Sequence, residues 1–80
     1  MKVLFYGRLA DVIGAELEVN SPARCSVSQL RERLATEHPL AAQALRSKRA
    51  RTCVGDRLVH DAHVLSAADT VEFLPPVSGG

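Results

Sequence analysis

Only one stretch of this 80-residue chain carries the signature of a long helix. At Ser26-Val27-Ser28-Gln29 a serine stands three residues ahead of a glutamine, the pattern of a capping box. Val27, Leu30 and Leu34 follow at helical spacing, and Arg31, Glu32, Arg33 and Glu37 supply the polar face. Pro39 disfavours helical geometry at His38. The spacing therefore predicts a helix over 27–37. Everything else apolar comes in runs too short for a second long helix. A single helix must bury its stripe against something, and in a chain of this length the partner is a small sheet. The expected class is α+β, with a mixed sheet and one main helix packed on one of its faces.

The strands are marked by alternation and by breakers. Val3-Leu4-Phe5-Tyr6 is β-branched and aromatic, predicting a first strand over roughly 2–8, weakened at its end by Gly7. Leu9, Val12 and Ile13 fill a compact connection closed by Gly14. Glu16-Leu17-Glu18-Val19 alternates strictly, and the short connection makes it antiparallel to the first strand. Pro39 opens a second, shorter helical turn through Arg46, and Ser47-Lys48-Arg49 reads as an exposed loop. Arg51 to Val54 and Arg57 to Val59 form two strands around a Gly55-Asp56 turn. The stretch from His60 to Asp69 reads as irregular, and Thr70 to Leu74 is the last strand, stopped by Pro75-Pro76.

Side chains alternate faces along a strand, so parity sorts them. Val3, Phe5, Val71 and Phe73 point to the core. Lys2, Leu4, Tyr6 and Arg8 share the other face, as do Thr70, Glu72 and Leu74. The charges label that face as open to solvent, yet Leu4, Tyr6 and Leu74 are large and apolar, and Leu58 is placed to join them. A contiguous apolar patch on an uncovered sheet face points to a partner.

Several function classes find little support. The net charge is +1, so no global field draws nucleic acid or an anionic membrane. No apolar run approaches a membrane span or a signal peptide, and the expectation is a cytoplasmic protein. Cys25 and Cys53 lie far apart and read as reduced thiols. His38, His60 and His63 match no compact zinc pattern, so no metal is expected. Arg46, Lys48, Arg49 and Arg51 form a basic cluster without interleaved aromatics or a recognition motif. No nucleophile-base set or phosphate loop can be assembled, which argues against an active site within the chain.

The C-terminus is the most specific feature. Pro75-Pro76 stiffen the exit from the sheet, and Val77-Ser78-Gly79-Gly80 then lead to a terminus without side chains. Glycines thread channels too narrow for any other residue. Five extended residues, Pro76 to Gly80, reach roughly 17 Å, enough to carry a terminal carboxylate into another protein's active site.

With this terminus, the start Lys2-Val3-Leu4-Phe5-Tyr6-Gly7, the Asp11-Val12-Ile13-Gly14 segment and the Val71-Glu72-Phe73-Leu74-Pro75-Pro76 strand, the whole chain resembles the molybdopterin synthase small subunits, the MoaD family of ubiquitin-like sulfur carriers. The resemblance implies a β-grasp domain over 1–76, with first and last strands parallel and adjacent, and a flexible tail over 77–80. It implies that Gly80 is adenylated and converted to a thiocarboxylate, with no bound cofactor beyond those covalent states, and that Gly79 serves the threading of the tail. It assigns partner contacts to Tyr6, Leu58, Leu74, Pro75, Pro76 and Val77. The implied partners are a synthase large subunit in a heterotetramer, an adenylating enzyme of the ubiquitin-activating type, and a persulfide sulfur donor. The catalytic groups would lie on the large subunit. Three other readings remain open from sequence: a thiamine-type sulfur carrier, a ubiquitin-like modifier joined to lysines, and a plain interaction domain.

Overall fold

The computed structural model describes residues 1–20, 24–47 and 49–75. In chain order the elements are β1 (Lys2–Phe5), α1 (Arg8–Ile13), β2 (Glu16–Glu18), β3 (Cys25–Ser26) and α2 (Val27–Glu37). A 3₁₀ turn (Pro39–Ala41) leads into α3 (Ala42–Arg46), followed by β4 (Arg51–Val54), β5 (Arg57–Val59), β6 (Val64–Leu65) and β7 (Thr70–Leu74). The main sheet has the order β2-β1-β7-β4-β5. Its first and last strands, β1 and β7, lie side by side and parallel near the centre, and the other pairings are antiparallel. This is the β-grasp arrangement.

The core follows from parity. Val3 pairs with Val71 and Phe5 with Phe73, all facing inward and essentially inaccessible. The two phenylalanine rings stack with centroids 5.8 Å apart. Val27, Leu30 and Leu34 of α2, Leu45 of α3, Leu9 of α1 and Leu65 of β6 close over them. Fully burying each such side chain contributes about 1.5–3 kcal/mol, and this one apolar layer is what holds α2 to the sheet. Helix α2 spans the residues its spacing predicts, and its capping box forms: the Ser26 hydroxyl accepts from the Gln29 N–H while Gln29 Oε1 accepts from the Ser26 N–H. The β4–β5 turn places Gly55 and Asp56 at φ of +54° and +68°, the pair of left-handed positions a two-residue hairpin of type I′ requires.

Three local expectations are corrected. The first strand ends at Phe5, not near residue 8, and the compact connection is the helix α1. Gly7, at φ +60° and ψ −136°, turns the chain out of the strand there. Arg8 therefore begins a helix and does not extend the outer sheet face. Within the supposedly irregular stretch from His60 to Asp69, β6 pairs with β3 in a short antiparallel ladder. Backbone bonds from Val27 to His63 and from Ser28 to Asp61 tie that stretch to the start of α2.

The third correction is Arg31. It does not lie on the solvent face of α2; it is 8% exposed and sits among the core elements. One guanidinium nitrogen donates to the Leu45 and Ser47 carbonyls at 2.8 and 3.0 Å. The other donates to the Ala50 carbonyl and to Thr52 Oγ1. Nε lies 3.3 Å from Asp61 Oδ1, and the guanidinium carbon stands 5.6 Å from the centre of the Phe73 ring. A buried charge is tolerated when it is paired and hydrogen-bonded, and here it cross-links α2 to the loop that leads from α3 into β4.

Candidate functional site

Helix α2 covers one face of the sheet, and the register of the strands defines the other. Leu4 pairs with Glu16 on β2 and with Glu72 on β7; Glu72 pairs with Cys53 on β4; Cys53 pairs with Leu58 on β5. One row of outward residues thus crosses all five strands. Beside it, Leu74 pairs with Arg51. Tyr6, one residue beyond β1, continues the parallel register opposite Leu74 and is 41% exposed. Leu58, on the edge strand, is 62% exposed. Leu4, Cys53, Leu74 and Pro75 are half-buried.

The outer face therefore brings together most of what sequence parity assigned to it. Tyr6, Leu74 and Pro75 cluster at the end of the two central strands. Leu58 belongs to the same face but lies three strands from β1, roughly 14 Å at the usual strand spacing, with Glu72 and Cys53 between. Pro76, Val77, Gly79 and Gly80 lie outside the described residues, as does the boundary between domain and tail.

Two residues of this face were missed from sequence. Cys53 lies between the inward-facing Thr52 and Val54, so parity in β4 would have found it. Glu72 served only as a label for solvent, yet it occupies the middle of the row. Its Oε2 accepts a 2.6 Å hydrogen bond from the Tyr6 hydroxyl. That bond and, after it, partial burial and the charges of Glu72 and Cys53 hold the Tyr6 hydroxyl above its ordinary pKa of 10.0. At neutral pH Tyr6 is a donor locked onto a carboxylate.

The root of the tail is shaped by Gly7. A Cβ built on Gly7 would stand 3.2 Å from Pro75 Cγ, tighter than an ordinary carbon contact. Gly7 thus has two constraints, its backbone angles and the proline ring against it, and together they set where the chain leaves β7.

Elsewhere the surface offers little chemistry. An open hollow of about 630 Å³ beside β5 is lined by Arg31, Arg51, Leu58, His60 and Asp61 among others. Its buried cation is already occupied by the four acceptors and Asp61. The basic cluster is likewise partly spent, because Arg46 pairs with Glu32, whose carboxyl is held below its ordinary value by that hydrogen bond. Among the described residues no three His, Cys, Asp or Glu side chains converge on a point that could hold a metal ion, and no helix is long and apolar enough to cross a membrane.

Comparison with known proteins fits this arrangement. The sequence profile of the ThiS family matches residues 3–80. The chain belongs to the ThiS family. Within it, the sequence is 31% identical over 80 residues to the molybdopterin synthase sulfur carrier subunit of Escherichia coli (strain K12), covering all of this chain and 99% of that protein. The fold matches a putative molybdopterin converting factor subunit 1 from Pyrococcus furiosus with a TM-score of 0.82, at 24% identity and 95% coverage of both chains. It also matches a chain of the complex of molybdopterin-converting factor subunits 1 and 2 from Helicobacter pylori 26695, with a TM-score of 0.65, 20% identity and coverage of 99% and 96%. The membership is carried by the whole chain, the Gly-Gly terminus included.

Proposed function

We propose that this ThiS-family chain is the sulfur carrier subunit of a molybdopterin synthase, working in the cytoplasm and contributing no catalytic group of its own. The observation that carries the proposal is the full-length similarity to the E. coli sulfur carrier subunit, in a fold whose central strand ends beside an exposed apolar face. A surface and a chain end so placed suit a partner that grips the face while the tail reaches inward. The neighbour solved as a complex of two converting-factor subunits supports a large subunit as the partner, and the assembly proposed for the pair is a heterotetramer.

The chemistry follows from the terminus. A free carboxylate is a poor electrophile at carbon and carries no sulfur to donate. Attack of the Gly80 carboxylate on the α-phosphate of ATP, on an adenylating enzyme, would expel pyrophosphate and give an acyl-adenylate. The terminal sulfur of a persulfide donor would then displace AMP, and a thiol would cleave the remaining S–S bond to release a thiocarboxylate. That sulfur is nucleophilic at neutral pH. Two such carriers in turn would give sulfur to a cyclic pyranopterin monophosphate bound to the large subunit, building the dithiolene.

The test is intact-mass analysis after incubation with the adenylating enzyme, ATP and a persulfide donor. A gain of one oxygen-for-sulfur exchange localised to Gly80 is expected. An unchanged carboxylate under those conditions overturns the proposal, and attachment of Gly80 to lysines instead would identify a protein modifier.

A further inference from the structure

The middle of the exposed sheet face is not apolar, and that asymmetry says something about what covers it. Glu72 is half-buried in the row Leu4–Glu72–Cys53–Leu58, flanked by an aliphatic side chain on one side and a thiol on the other. An ionised carboxylate has about four acceptor sites. Here the Tyr6 hydroxyl fills one of them. Among the described residues no cation forms an ion pair with it. Lys2 pairs with Glu16, Arg33 with Glu37, Arg31 with Asp61 and Arg46 with Glu32. Arg51, outward on β4 beside Leu74, stands diagonal to Glu72 and forms no ion pair with it among the described residues.

Any protein that covers Leu4, Leu58 and Leu74 also strips water from Glu72. Burying a carboxylate without a charged partner costs several kcal/mol, which would cancel much of what the apolar contacts contribute. The cost disappears if the incoming surface carries a cation. A guanidinium suits the geometry best, because Tyr6 fixes one carboxylate oxygen and leaves the other open to a charge-assisted bond.

We propose that Glu72 is the specificity-determining residue of this face, and that the docking partner presents an arginine or lysine side chain to it from within an apolar surface. Tyr6 is the positioning residue that holds the carboxylate for that contact. The inference rests on the reading that this face docks the synthase large subunit.

The experiment measures the affinity of the large subunit from the same organism for the full chain and three variants, by titration calorimetry at low and high salt. Leu58→Asp tests the face, Glu72→Gln tests the charge, and Tyr6→Phe tests its positioning. Circular dichroism and urea melts establish that each variant is folded. Glu72→Gln is expected to weaken binding about tenfold or more and to flatten its salt dependence. Tyr6→Phe is expected to weaken binding less and to leave the salt dependence in place. Should Glu72→Gln bind as well as the parent while Leu58→Asp fails, the face docks but no cation meets Glu72, and the inference is overturned. Should Leu58→Asp and Glu72→Gln both bind as the parent does, the docking face itself is wrong, and the inference falls with it.

Discussion

Replacing Arg31 with methionine keeps most of the side-chain volume and removes every donor. The Leu45 and Ala50 carbonyls, both buried, then lose their guanidinium bonds, and the Ser47 carbonyl and Thr52 hydroxyl lose theirs. Each buried acceptor left unsatisfied costs about 1–3 kcal/mol. The aliphatic stem of methionine recovers part of that by packing on Phe73. A net loss of about 3–5 kcal/mol follows, comparable to breaking a buried ion pair. For a domain of this length the whole stability is about 4–12 kcal/mol, so the variant should sit near the edge of folding. Urea denaturation with linear extrapolation reads the difference, provided the slope stays constant. Arg31→Lys is the companion, since an ammonium has three donors and cannot serve four acceptors spread over residues 45–52; it should fall between the two. A loss under about 1 kcal/mol for the methionine variant would refute the reasoning. It would mean that water entering from the hollow beside β5 satisfies the carbonyls as well as the guanidinium does.

Four further outcomes are expected. The Tyr6 phenol should titrate above its ordinary 10.0 when followed by ultraviolet absorbance, and Glu72→Gln should bring it back down. Because the folded value is raised, the Tyr6–Glu72 bond stabilises the domain below pH 10 and is lost as pH climbs through the folded value; stability rising across that window would contradict the assignment. Gly7→Ala should cost about 1–3 kcal/mol in a urea melt, from the φ/ψ region it must occupy and the contact with Pro75. Ser26→Ala should cost about 1 kcal/mol by the same assay, with a loss confined to the start of α2 in amide exchange. Leu74→Glu should leave the fold intact by circular dichroism and weaken large-subunit binding in calorimetry; unchanged affinity would remove Leu74 from the interface.

Where the sequence was legible, the reason was periodicity. Strand parity put Val3, Phe5, Val71 and Phe73 on the core face, and the capping box with Pro39 bounded α2. Helix α1 was hidden because six residues give barely more than one turn of pattern, and because Gly7 reads equally as a weak strand end. The β3–β6 ladder has two residue pairs and no alternation to detect. Arg31 is more instructive. It stands four residues after Val27 and three before Leu34, so it falls on the buried stripe by spacing alone. Its charge argued for solvent, and what buries it are backbone carbonyls from 45 to 50, which no side-chain pattern announces. The charge of Glu72 reads in sequence as a sign of water, whereas its neighbours across the strands make it the centre of the face.

The last strand in sequence is an inner strand of the sheet. Chain ends ordinarily fray, opening at little cost while the rest of a domain stays folded. Strand β7 has β1 bonded along one side and β4 along the other, so Val71 to Phe73 cannot open without releasing both. Their amides should exchange only through global unfolding and be among the slowest in the domain. A partner that pulls on the terminus therefore works against an anchor held on both sides by the sheet.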